Sequence, residues 1–285
     1  MREHALIREP TVGVSLARFW VSLRSVKTYN VENKEPEVVR RSSTRFKTQT
    51  TRLGFVDPEK LSQSQDRETP VLSSDPITES GVYTEEQEPA PKLPVEDYAV
   101  QLAFAVLNHI LLYTQDPLLD TPVEIRQRER WALNIDGKSI TANDDGGLSL
   151  VDGPGTKTKK SVVLIEAKRR LEVCENSNKP VVSNGLLAQM TCEALAARSS
   201  GRDEKMGDNV FVINVSQRFM CFFHFAITIT QVEEIKSGER PDKAIRVTAT
   251  KWLNLADAYD RKIVVKNVCQ LAKYMRGEDG DRLPH

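Results

Sequence analysis

The sequence predicts an α/β domain with a mixed sheet flanked by helices, preceded by a long arm without regular structure. Half of the fourteen prolines fall at positions 36–94, among Ser, Thr, Gln and Glu. Large apolar residues are sparse there, so this stretch buries too little surface to offset its chain entropy. After Pro94, apolar residues recur at helical spacing and alternate with runs rich in β-branched and aromatic residues. We therefore expect a mostly disordered arm over 1–93 and one folded domain over 94–285.

The first helix of the folded domain is predicted over 95–113. Tyr98, Leu102 and Val106 lie at helical spacing, and Glu96 stands in the first turn, where a negative charge favours the helix dipole. A short helix is also predicted inside 4–27.

The dipeptide Asp136-Gly137 predicts a type I′ turn joining strands over 129–135 and 138–151. The same reading of apolar spacing places the remaining elements along the chain. They are strands at 161–167, 209–215 and 219–230, a helix at 184–197, and a mostly helical segment at 252–276 with a break near 262–266. The core order is thus helix, three strands, helix, two strands and a terminal helix.

Charge and cysteine content restrict the class of protein. The chain has 40 basic and 40 acidic residues, which argues against a dominant electrostatic grip on nucleic acid but allows a local basic patch. Its four cysteines match no zinc motif, which is typical of reduced thiols in an intracellular protein, nuclear or cytoplasmic. No apolar run is long enough to predict a membrane span, and we expect no membrane partner.

The strongest chemical signal lies at the end of the run Ser161–Ala167. Side chains alternate along a strand, so Glu166 and Lys168 should project to the same side and Ala167 to the other. A carboxylate beside an ammonium at the end of a buried strand is costly unless the pair has a role. Metal-assisted hydrolysis of a phosphodiester needs such a pair. The alternative is a surface ion pair worth less than about 1 kcal/mol.

Two flanking segments add polar groups to this pair. Asp144 and Asp145 precede Gly146-Gly147 on the predicted hairpin, where they either supply a carboxylate or shape a turn. Gln189 lies on the following helix, where it either faces the strand or is solvated. Of the two aspartates, strand alternation lets one face Glu166.

With these residues, the αβββαβ order and the Glu-x-Lys of the third core strand resemble the PD-(D/E)XK nuclease superfamily, in the style of fungal nuclease-like domains. The resemblance covers roughly 94–230 and implies a restriction-endonuclease-like core. It favours Asp145 as the upstream acid, and Glu96 would be the acidic residue of the first helix. The proline of the family name is absent, since Asp144 precedes Asp145.

The resemblance also implies roles for these residues. Asp145 or Asp144, Glu166 and the carbonyl of Ala167 would bind one or two Mg²⁺ (or Mn²⁺) ions. Lys168 would activate water and Gln189 would orient Lys168 or contact the phosphate. Nucleic acid, DNA in preference to RNA, would also contact basic residues flanking the strand. These are Lys157, Lys159, Lys160, Arg169 and Arg170.

The sequence therefore predicts a metal-dependent nuclease acting on phosphodiesters. Two alternatives stay open: a catalytically inactive nuclease fold used as a binding or effector-type module, and a structural α/β domain with a coincidental Glu-x-Lys. The oligomeric state does not follow from the sequence.

Overall fold

The computed structural model describes residues 12–32, 96–151, 159–168, 171–173, 180–200 and 207–278. The helices are Gly13–Glu32 (α1), Glu96–Thr114 (α2), Asn184–Ser199 (α3), Ile229–Lys236 (α4) and Ala258–Arg276 (α5). The strands are Val123–Arg126 (β1), Arg130–Ile135 (β2), Lys138–Asn143 (β3), Gly146–Val151 (β4), Lys159–Lys168 (β5), Asn209–Ser216 (β6), Phe219–Ala226 (β7), Arg246–Ala249 (β8) and Leu253–Asn254 (β9).

Seven of these strands form one mixed, mostly antiparallel sheet. Its order is β1-β4-β5-β6-β7-β8, and β9 pairs with β7 beside β8. The central pair β5 and β6 is parallel, with Glu166 opposite Asn214, and the other neighbours are antiparallel. The predicted α/β class with a mixed sheet is confirmed at this level.

Helices cover both faces of the sheet. On one face α1, α2 and α5 bury a core that includes Ile165 and Ile213. On the other face α3, α4 and the β2–β3 hairpin bury Leu164 and Val212. Successive residues of β5 and β6 therefore enter opposite cores, as strand alternation requires.

Strand β5 lies inside the sheet and is apolar on both faces. Val163, Leu164 and Ile165 are all at most 1% exposed. This pattern is typical of a strand covered by helices on both sides. The strand ends at Lys168, so its polar end carries Glu166 and Lys168 to the edge of the core.

The predicted hairpin exists, but the prediction that it belongs to the core sheet was wrong. Asp136 and Gly137 have φ of 47° and 72°, as a type I′ turn requires. However, β2 and β3 form a separate two-stranded sheet. The predicted strand 138–151 is two strands, because the chain leaves β3 at Asp144 and resumes in β4. The short strand β1, which the sequence did not predict, pairs with β4 instead.

Two other boundaries differ from the prediction for local reasons. The strand predicted to Thr230 ends at Ala226, because Thr228 caps α4 in a capping box with Gln231. Helix α5 runs without the predicted break and begins at the Asp257 cap.

The amino-terminal helix differs more from its prediction than these boundaries do. Helix α1 extends beyond the predicted range and contributes Phe19 and Leu23 to the core that α2 shares. The compact unit thus includes this segment as well as the chain from α2 onward. Most of the predicted arm, residues 1–11 and 33–93, lies outside the described residues.

None of the helices described here combines the length and apolar character needed to cross a bilayer.

Gly147 gives a test of the sheet packing beside the site. A Cβ at this position would lie 2.1 Å from the Val163 carbonyl oxygen and 2.6 Å from Arg126 Nη2. Gly147→Ala must therefore separate β4 from β5, and we expect a loss of about 3 kcal/mol in the free energy of unfolding measured in urea. Gly185→Ala is the control, because the nearest atom is 3.9 Å from its added Cβ. Equal stability of the two variants would contradict this packing.

Candidate metal centre

Three carboxylates from separate parts of the chain meet at the end of β5. Glu96 opens α2, Asp145 directly precedes β4, and Glu166 lies two residues before β5 ends. One oxygen from each side chain lies within 4.8 Å of the others. Such a group of oxygens is suited to a hard divalent cation.

Asp145 is fixed against β5 by backbone hydrogen bonds. Its N–H donates to the Ile165 carbonyl at 2.9 Å, and the Ala167 N–H donates to its Oδ2 at 2.9 Å. The other oxygen, Oδ1, lies 2.5 Å from Nη2 of Arg128, a largely exposed side chain. The preference for Asp145 over Asp144 thus agrees with the position of its carboxylate beside Glu166.

Asp144 belongs to a different, fully buried cluster. Arg126 donates two hydrogen bonds to its carboxylate, at 3.0 and 2.6 Å. Trp131 Nε1 donates at 2.6 Å, and the backbone N–H groups of Glu129 and Gly146 donate at 2.9 and 3.1 Å. These contacts use both oxygens, so Asp144 is not among the grouped carboxylates and its assignment as an alternative metal ligand is corrected. The turn interpretation describes it better.

Glu166 and Lys168 project to the same side of β5, as predicted. Lys168 Nζ lies 2.5 Å from Glu166 Oε1 and 3.8 Å from a Glu96 oxygen. Glu166 is 2% exposed, whereas Lys168 is 29% exposed. The pair is therefore not a fully solvated surface ion pair, because its carboxylate is buried.

Gln189 reaches the site from α3, but it contacts the carboxylate rather than the lysine. Its Nε2 donates to Glu166 Oε1 at 2.6 Å and to Glu193 Oε1 at 2.9 Å. The amide therefore positions Glu166. The predicted orientation of Lys168 by Gln189 is replaced by an indirect link through that carboxylate.

Glu193 lies four residues after Gln189, where the sequence allows it either to position Gln189 or to be solvated. In the structure it is buried and accepts a hydrogen bond from Gln189. Burial raises its pKa to about 8, and the negative charge of Glu166 adds to this. Burial also raises the pKa of Glu166, although Lys168 opposes that effect. Glu193 therefore keeps its proton at neutral pH and donates a hydrogen bond to Glu166.

Lys168 is a cation in this arrangement. Burial acts to lower its pKa, but the hydrogen bond and charge of Glu166 and the charges of Glu96 and Glu193 outweigh burial and raise the pKa overall. An amine with a raised pKa is a weak proton acceptor at neutral pH. Its charge is thus its main contribution to the site.

The remaining predicted residues are only partly described. Ala167 directs its side chain into the core and its N–H to Asp145. The metal-binding role of its carbonyl stays a prediction. Lys157, Arg169 and Arg170 lie outside the described residues, and Lys159 and Lys160 are described only as backbone of β5. Their contact with nucleic acid also stays a prediction.

The pH dependence of stability tests the protonated state of Glu193. Its folded-state pKa lies above the ordinary value of 4.5, so the unfolded chain binds fewer protons between pH 4.5 and 8. The free energy of unfolding should therefore fall as pH rises through this window. In Glu193→Gln, whose amide can donate the same bond without titrating, this fall should shrink by an amount on the order of a few kcal/mol. The measurement is urea unfolding at pH 5, 6.5 and 8.

Glu124→Gln is the matched control, because Glu124 is exposed on β1. It should keep the pH slope of the unaltered chain. An unchanged slope in Glu193→Gln would show that Glu193 is ionised in the folded protein.

Comparison with protein-family models, with curated proteins and with solved structures gave no match.

Proposed function

We propose that this protein hydrolyses phosphodiester bonds of nucleic acid with the help of a divalent metal ion. The observation that carries the proposal is the meeting of Glu96, Asp145 and Glu166 within 4.8 Å, beside the ammonium of Lys168. Three carboxylates in one place repel one another unless positive charge compensates them. A divalent cation gives that compensation and serves hydrolysis.

The donor set fits Mg²⁺ or Mn²⁺. All three side chains offer hard oxygens, and octahedral ligands about 2.0–2.1 Å from an ion lie roughly 3–4 Å apart. The separation of at most 4.8 Å is close to this range, so a small movement of the side chains is enough. Glu96, Asp145 and Glu166 would hold the ion, and the carbonyl of Ala167 is a further candidate.

When bound, the ion would lower the pKa of water and polarise the phosphoryl oxygen. The chain's own residues have separable roles. Lys168, as a cation, stabilises negative charge on the phosphoryl oxygens. Its raised pKa favours this role over proton removal from water. Gln189 and the protonated Glu193 hold Glu166 in position.

The order of elements supports a nuclease-type core. Helix α2, strands β1, β4 and β5, helix α3 and strand β6 follow one another as α, β, β, β, α, β, with the β2–β3 hairpin inserted. Glu-x-Lys ends the third of these strands, as in the PD-(D/E)XK nuclease superfamily. On that resemblance, DNA rather than RNA is the proposed substrate.

A second candidate function is a binding module on an inactive nuclease fold. One observation favours it: Lys168 and Arg128 already form ion pairs with Glu166 and Asp145. These pairs can balance the cluster without a metal. Metal binding separates the two functions, because an inactive, charge-balanced cluster does not require it.

Thermal unfolding tests whether the carboxylates converge on an ion. Mn²⁺ at ten times its dissociation constant should stabilise the folded chain by about 1.4 kcal/mol, raising Tm by roughly 3–6 °C. Glu166→Ala and Asp145→Asn should lose this shift, whereas Glu124→Gln should keep it. An equal shift in all variants would place the ion elsewhere and contradict the proposed site.

Cleavage assays test the activity itself. We expect labelled DNA to be cut with Mg²⁺ or Mn²⁺ and not with EDTA, and Glu166→Ala to reduce the rate at least about 100-fold. RNA of the same sequence is assayed in parallel, with Glu124→Gln as the control. Full activity in Glu166→Ala would reject the assignment.

A further inference from the structure

A cavity of about 530 Å³ lies directly beside the carboxylate cluster, because Glu96 of that cluster and the neighbouring Lys168 both line it. It is bordered by the end of β5, the start of α3 and the segment before β9. Its lining includes Glu96, Lys168, Glu172, Ser183, Ser216 and Trp252. Pockets of roughly 300–1,000 Å³ are typical of small-molecule sites.

The walls of this cavity combine a ring surface with polar edges. Trp252 is half-buried and packs against the core on the α3 face, and Val181 and Leu186 add apolar surface. Ser183 and Ser216 bring hydroxyl groups to the lining. A flat heteroaromatic group that needs both stacking and hydrogen bonding fits such walls.

The charges decide which part of a nucleotide enters. Among the lining residues, Lys168 is cationic, whereas Glu96 and Glu172 are anionic. The ammonium of Lys168 is also committed to Glu166. The cavity therefore carries no excess of positive charge for a phosphate, and a neutral base suits it better.

We propose that the Trp252 cavity holds one unpaired nucleobase next to the phosphodiester that is cleaved. This inference rests on the proposed function for its orientation, since the phosphate attached to that base would reach the metal ion that Glu96, Asp145 and Glu166 would hold. A paired base inside a duplex is stacked and cannot enter a pocket without being extruded. The substrate is therefore a single strand or a strand end.

A single-stranded pentanucleotide with one central 2-aminopurine tests the pocket without requiring cleavage. In EDTA, stacking on Trp252 should quench the fluorescence of the bound probe. Trp252→Leu keeps an apolar side chain but removes the ring, so it should abolish the quenching and raise Kd roughly 5- to 150-fold. Trp252→Phe should retain both the quenching and the affinity of the unaltered chain.

Tyr113→Ala is the control for loss of an exposed aromatic, because Tyr113 lies at the opposite end of α2 from Glu96. Thermal unfolding of each variant confirms that it folds. Quenching that survives in Trp252→Leu, or no binding of the probe to the unaltered chain, would overturn the proposal.

Cleavage with Mn²⁺ separates this inference from the proposed function. The unaltered chain should cut the single strand at least about tenfold faster than a blunt hairpin of the same sequence, and Trp252→Leu should remove most of that preference. Equal cutting of both substrates would overturn the base pocket while leaving the nuclease intact. Quenching at Trp252 without any cleavage would reject the nuclease and leave the pocket supported.

Discussion

The Glu166 carboxylate is almost completely buried at the end of a strand that is covered on both faces. A charge in such a place is stable only when other groups compensate it. Lys168 supplies the opposite charge, while Gln189 and the protonated Glu193 supply hydrogen bonds. Each of these partners is placed by β5 or α3, so the site is a direct product of how those two elements pack.

The adjacent residues Asp144 and Asp145 have different roles: Asp144 stabilises the turn, and Asp145 lies in the carboxylate cluster. Asp144 is enclosed by Arg126 and Trp131 and ties the hairpin to β1. These hydrogen bonds to Asp144 end β3 and place Asp145, the next residue, beside the end of β5. The buried ion pair thus acts as a support for the candidate metal ligand rather than as part of it.

Local patterns predicted the elements that the site uses, but not all of their partners. The apolar run before Glu166, the helical spacing after Glu96 and the Asp-Gly turn are each contained in a few consecutive residues, and the structure confirms them. Strand β1 is only four residues long and gives no periodic signal. The hairpin was therefore assigned to the main sheet in its place.

The burial of Glu193 and the ion pair of Arg128 could not be predicted for the same reason. Glu193 is recognisable as a buried acid only once α3 is packed on the sheet, and Arg128 only once the loop after β1 reaches Asp145. In the sequence, the neighbours of Glu193 and Arg128 do not distinguish them from ordinary charged surface residues. The position of Glu193 four residues after Gln189 predicts a shared helical face, and the structure places the two side chains in contact. That spacing does not predict the burial of the Glu193 carboxyl group.

Anomalous diffraction from a crystal of the chain soaked with Mn²⁺ would show whether the three carboxylates share one divalent ion. If they do, a single strong peak should lie about 2 Å from oxygens of Glu96, Asp145 and Glu166, with Lys168 still beside the site. A crystal with no peak there, in which Lys168 and Arg128 alone satisfy Glu166 and Asp145, would contradict a shared ion.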